Sequence, residues 1–416
     1  MRKTGTNLPL RRLALTASAA AVTLCAVVPG IAEAKKPKKY KAPAALYTTT
    51  NNTTNNELLV FTRKANGALK FKTSVATGGK GGAQTQPGCD PPGGCPFLDA
   101  SKEVIKTKNG SLIFAVNAGS NTISSFSVKA NGKVKLAAQV DSGGVFPTSL
   151  ARKGNLLYVL NNNSKNIAGF RYTAAGKMTP IAGSVQPLTA EAAPLSRQIG
   201  FDNTGAYLVV SHLTDGSFDT FPVKNGVAGP PSSQPSATAF PFSFSFDPIN
   251  NFMVATEVVN PNDPNQLSNV TSYSLTNTGY TPGSTGGLQK ISTVSSQGVA
   301  ACWTQFTKNG KLLFVVNTGG GAPTGSSVTT FSLSSTGQLT FNSVTPGAGS
   351  EFVQTDEFLS PDQKFLYVAS PLFNAPTEAT NGSRIITYSV GAKGKLTRVG
   401  QTSKALAPGI TGLIGS

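Results

Sequence analysis

The chain has 416 residues, of which only 13% are charged, yet its formal charge is +18 because 36 Lys and Arg face 18 Asp and Glu. Sparse charge beside 44 Gly, with Ser, Thr and Asn abundant, argues against a helical cytosolic protein and for a β-rich one. The basic residues are scattered rather than gathered with aromatics, which argues against a nucleic-acid-binding surface.

The first predicted element is a secretory signal over residues 1–34. Arg2, Lys3, Arg11 and Arg12 form a basic n-region, and an apolar stretch runs from Leu13 to Val28. Pro29-Gly30 breaks that stretch before the small-x-small site Ala32-Glu33-Ala34. The apolar stretch is short for a membrane span, and Val22-Thr23-Leu24 before Cys25 does not make a lipobox. Arg11-Arg12 sits in a poor twin-arginine context, so general secretion to the periplasm or exterior is expected. Cleavage would remove four basic residues and Glu33, taking the formal charge from +18 to +15. Lys35, Lys36, Lys38, Lys39 and Lys41 then form a basic leader over 35–43, suited to solvation or to an anionic cell-surface polymer.

Cys89 and Cys95 bracket a tight Pro- and Gly-rich loop. In an exported chain this suggests a disulfide, since a zinc site would need more ligands than the loop supplies. Cys302 is left over and is expected to be unpaired and buried.

From residue 44 onward one unit repeats. Asn109-Gly-Ser-Leu-Ile-Phe-Ala-Val-Asn117 parallels Lys153-Gly-Asn-Leu-Leu-Tyr-Val-Leu-Asn161 and Asn309-Gly-Lys-Leu-Leu-Phe-Val-Val-Asn317, with weaker copies after Thr204, Asn250 and Pro361. Each unit reads as strands a to d, with a Gly turn between a and b and another between c and d. Gly is needed there because tight hairpins place a residue at positive φ. The c–d turns are Asn66-Gly67, Asn131-Gly132, Ala175-Gly176, Asn225-Gly226, Thr278-Gly279, Thr336-Gly337 and Lys393-Gly394. Strands such as Ile123–Val128 alternate with period two, so one face packs on a neighbouring sheet.

There are seven c–d turns and six a–b turns. The repeats begin on a b-type strand, Ala45–Thr50, and end on an orphan a-type strand, 409–416. Joining the two ends in one blade predicts an all-β, seven-bladed propeller with no free sheet edge, occupying 44–416 as one domain.

The repeat, above all Ser360-Pro-Asp-Gln-Lys-Phe-Leu-Tyr-Val-Ala369, resembles the seven-bladed lactonase family, which includes propeller-type phosphogluconolactonases and carboxymuconate-lactonizing enzymes. It resembles the YVTN-type surface propellers equally. The resemblance covers the mature chain and implies a propeller and lactone hydrolysis. One departure is that family members carry His at or just before strand a, where this chain has Phe146-Pro147 in its third blade.

Ligands of propellers bind at a mouth of the central channel. Counting seven residues back from each a–b turn predicts Glu103, Pro147, Gln198, Ser243, Trp303 and Asp356 at the heads of the inner strands. Counting seven forward predicts Asn117, Asn161, His212, Glu257, Asn317 and Ser370. Asn at the forward position caps the strand end. His212, the only histidine, and Glu257 break that rule in adjacent blades. The expected catalytic set is Glu257 or His212 as base with Arg197 beside the oxyanion, and Gln198, Trp303, Asp356 and Glu103 are expected to bind substrate. Each has a bland alternative: a locally bonded His212, an exposed Glu257, a surface ion pair for Arg197, a core Trp303. No metal or cofactor pattern is present, and Gly78–Gly82 lacks the form of a phosphate loop.

Two functions remain open: a lactone hydrolase, or a non-catalytic monomer that presents its b–c loops (260–269, 318–326 and 372–381) to a glycan, peptide or surface partner.

Overall fold

The computed structural model describes residues 40–83, 98–189, 195–259, 266–275, 287–319, 325–347, 353–371, 382–402, 406–407 and 409–416. The signal segment, Cys89 and Cys95, and most of the three long b–c loops therefore lie outside the described residues.

Seven antiparallel sheets are each built on four strands, and two of them carry an additional short strand. The sheet that closes the ring runs from Leu69–Ala76 through Glu57–Arg63 and Ala45–Thr49 to Thr411–Gly415. Leu46 lies opposite Gly415 and Tyr47 opposite Ile414, and the amide of Ser416 bonds the carbonyl of Ala45 at 2.8 Å. The last residues thus supply the inner strand of the first blade, as the turn count requires.

Each b strand reads as a continuous apolar run because it is buried on both faces. In Leu112–Asn117, Ile113 and Ala115 pack towards the first blade while Leu112, Phe114 and Val116 pack towards the third. The same division recurs around the ring, giving seven apolar clusters, one between each pair of neighbouring blades. Burial at about 25 cal/mol per Å² makes these interfaces the main stabilising term.

The c–d glycines have a second task besides the turn. Gly67, at φ +85°, accepts from the Tyr367 hydroxyl at 2.8 Å, and Gly226 accepts from Tyr158 at 2.9 Å. A Cβ on Gly67 would lie 2.5 Å from the Phe365 ring, so the turn docks on the adjacent blade only as glycine. In the fifth blade the left-handed a–b residue is Asn251 (φ +63°), one position beyond Asn250, which the repeat had suggested. Cys302 is free and buried as expected, and burial, with Asp99 adding to it, raises its thiol pKa.

Candidate functional site

The inner strands start alike. In the fourth and sixth blades Gln198 and Trp303 lie opposite Ser211 and Val316, just past a bulge. Glu103 and Asp356 hold the same level, because their carbonyls accept from the amides of Val116 and Ala369. In the third blade the a–b hairpin is two residues shorter, with Lys153 opposite Leu156, so that Ser149, rather than Pro147, holds this tier opposite Leu160. Counting back from the turns finds the tier and misses the shorter hairpin.

A stretch of backbone crosses the channel at the end where these strands begin. The carbonyl of Leu98 accepts from Thr411 Oγ1 at 3.3 Å in the first blade. The carbonyl of Ala100 accepts from Trp303 Nε1 at 2.9 Å in the sixth, and the amide of Ser101 bonds the carbonyl of Arg197 at 2.9 Å in the fourth. Leu98 to Ser101 is thereby tied across the axis. Arg197 is part of this tie: its Nη2 meets Asp99 Oδ2 at 3.0 Å, and its guanidinium lies 5.4 Å from the Phe242 ring centre.

His212 and Glu257 sit elsewhere. His212 is buried, with Nδ1 2.8 Å from Ser196 Oγ and Nε2 3.0 Å from Asp219 Oδ2. Asp219 also accepts from the Thr189 amide at 2.8 Å and from its hydroxyl. These are the residue types of a nucleophilic triad, but Ser196 is 0% exposed, so its hydroxyl meets no solvent. The arrangement repeats that of Asn117, which donates to Ser124 Oγ seven residues on at 2.8 Å. Glu257 follows the same plan: its carboxylate accepts from Thr271 Oγ1 at 2.6 Å and from the hydroxyls of Thr238 and Tyr273. That contact and burial raise the Tyr273 pKa, burial being the larger cause. Neither side chain lines the axial cavities described next.

Beyond the crossing backbone the channel opens. An inner cavity of about 210 Å³ is lined by Lys102, Trp303, Gln305, Asp356, Glu357 and Phe358. It shares Lys102, Lys106 and Gln305 with a vestibule of about 480 Å³ at the a–b turn end. Lys102 is half-buried and holds φ +69°, an uncommon conformation for a residue with a Cβ. Of the residues foreseen for substrate, Trp303 and Asp356 line the inner cavity, Gln198 lines the vestibule, and Glu103 lies behind Asp356.

Glu103 and Asp356 place two buried carboxyl groups close enough to influence each other's protonation. Glu103 Oε1 accepts from Thr411 Oγ1 at 2.7 Å and Asp356 Oδ2 from the Gly412 amide at 2.9 Å. Burial pushes the Asp356 carboxyl up to about 6, and burial with the nearby Asp356 charge pushes Glu103 well above the carboxylate range. Two neighbouring buried carboxyls cannot both ionise cheaply, which favours the protonated form of at least one of them. Glu357 is pushed up by burial, and its Oε2 has no hydrogen-bond partner. Sequence reasoning missed Lys102 and Glu357. The available signal was that Asp356-Glu357 is the only pair of consecutive acids in the chain, set at the head of an inner strand.

Residues 52–190 match the family model described as lactonase, seven-bladed β-propeller. Among solved structures, the chain is similar to a Bacteroides uniformis protein provisionally named a 6-phosphogluconolactonase, at 16% identity and TM-score 0.64, covering 89% of this chain and 99% of that one. The periplasmic gluconolactonase of Pseudomonas aeruginosa aligns at 15% identity and TM-score 0.60, over 88% and 98%. A hypothetical selenium-binding protein from Sulfolobus tokodaii aligns at 11% and TM-score 0.65, over 91% and 94%. No curated protein matches the chain. At these identities the likeness is one of fold, which is a lactonase-like propeller, and such folds host unrelated chemistries.

Proposed function

We propose that this protein is an exported hydrolase of a sugar-type lactone, with its reaction in the inner axial cavity. The observation that carries this reading is the pair of buried carboxyls Glu103 and Asp356, with Asp356 and Lys102 both lining the inner cavity. The family match over 52–190 and the gluconolactonase named among the structural neighbours support the substrate class. The signal pattern of residues 1–34 supports export.

In this reading the ionised member of the pair takes a proton from water as the water oxygen attacks the lactone carbonyl. The Lys102 ammonium stabilises the tetrahedral oxyanion. Collapse breaks the ring C–O bond, and the pair returns a proton to the departing ring oxygen, leaving the open-chain hydroxy acid. Glu357, whose carboxyl pKa burial raises, backs the cavity, and Trp303 forms an apolar wall. His212, Glu257 and Arg197 act as clamps rather than as chemistry. The test is a panel of aldonolactones given to the mature protein and to Asp356→Asn. Hydrolysis that falls about 100-fold or more in the variant is expected, whereas equal rates remove the pair from the mechanism.

A further inference from the structure

The vestibule differs in charge from the acid pair behind it. Lys102, Lys106, Arg152 and Lys308 line it, together with the amides of Gln198 and Asn203, and no Asp or Glu is among its lining residues. An adjoining groove of about 570 Å³ shares Lys106 and Lys308 and adds Lys41, Arg63 and Lys108. The acids nearby are engaged elsewhere. Asp362 faces Arg63 at 3.8 Å, and Asp247 accepts amides of its own turn, including that of Asn250 at 2.8 Å.

The cations are partly fixed in place. Arg152 donates Nε to the carbonyl of Lys106 at 3.1 Å and Nη1 to that of Gly154 at 3.1 Å, and Lys308 Nζ donates to the carbonyl of Pro361. The half-buried Lys106 forms no ion pair among the described residues. Its pKa is lowered, first by burial and then by the charges of Arg152 and Lys308. Like charges crowded around one cavity repel, and a bound anion relieves that repulsion.

We propose that the vestibule is a binding site for a small oxyanion ligand, one carrying phosphate or several carboxylate groups, anchored by Lys106, Lys308 and Arg152. The site stands on the vestibule alone and holds whatever reaction the acid pair performs.

Calorimetric titration of the full chain with inorganic phosphate and, separately, with citrate tests it. Saturable binding of at least one anion is expected. It should weaken as sodium chloride is raised and fall tenfold or more in the double variant Lys106→Met, Lys308→Met. The preferred probe tells a phosphoryl ligand from a polycarboxylate. No saturable binding of either anion, or binding unchanged in the double variant, overturns the proposal. A second measurement needs no variant. Acetylation of the wild-type protein at pH 8, mapped by mass spectrometry, should modify Lys106 early and slow there when the anion is added. A Lys106 rate indifferent to both anions contradicts the site.

Discussion

His212 Nε2 lies 3.0 Å from Asp219 Oδ2, the same seven-residue step by which Asn117 reaches Ser124 in the second blade. The histidine therefore occupies the place of a structural asparagine, and its partner was chosen to suit it. His212→Asn should fold and keep activity within a few-fold, losing about 1 kcal/mol in urea denaturation. Asp219→Ala should cost more, about 2–4 kcal/mol, because the Thr189 amide and hydroxyl both lose an acceptor and the imidazole loses its neighbouring carboxylate. If His212→Asn instead abolished hydrolysis without loss of stability, the clamp reading would fail.

Glu257 carries the parallel prediction. Its carboxylate receives three hydroxyls, from Thr238, Thr271 and Tyr273. Glu257→Gln presents an amide NH₂ towards hydroxyls already acting as donors. Destabilisation of about 1–3 kcal/mol is expected, with kcat/KM for any lactone substrate essentially unchanged. Paired denaturation and kinetic assays separate the two effects.

The acids of the inner tier predict a pH profile for stability. Glu103, Asp356 and Glu357 have folded-state pKa values above their unfolded ones. The folded protein thus binds their protons more tightly. The stability they contribute is fully present below the unfolded carboxylate pKa, roughly 4, and is lost as pH rises through the folded values, near 6 for Asp356. Asp219 and Asp362 are lowered, so theirs is lost instead as pH falls through their folded values. Melting should accordingly occur at a higher temperature at pH 5 than at pH 8. The double variant Asp356→Asn, Glu357→Gln should shrink that difference. A melting temperature that rises steadily from pH 5 to pH 8 would contradict the assignment.

Ring closure makes its own prediction. Deleting residues 409–416 removes the inner strand paired with Ala45–Thr49 and takes Ile410 and Leu413 out of the cluster between the seventh and first blades. The exposed strand edge should make the variant aggregate more than the full chain. Size-exclusion chromatography with thermal melts reads this directly.

The architecture was legible because it rests on local rules. Gly67, Gly132, Gly176, Gly226, Gly337 and Gly394 do hold positive φ, and the apolar b strands mark where each blade is buried on both faces. The site was legible only in part. Counting from the turns reached Gln198, Trp303, Asp356 and Glu103, since strand register is a backbone property. It slipped where the a–b hairpin is two residues shorter, so that Ser149 replaces Pro147. It also read His212 and Glu257 as exceptions in search of a function, when each has a partner on the adjoining strand, Asp219 or Tyr273, that restores the clamp. The passage of Leu98 to Ser101 across the axis depends on contacts with Arg197, Trp303 and Thr411, and no local pattern records such contacts.

If the Glu103 and Asp356 pair performs lactone hydrolysis, the pH dependence of kcat/KM for an aldonolactone must differ between wild type and Asp356→Asn. Wild-type activity should rise with a group titrating near 6, and the variant should lose that limb with about 100-fold lower activity. A variant as active as wild type across the pH range, or no hydrolysis of any aldonolactone by the wild type, would contradict it.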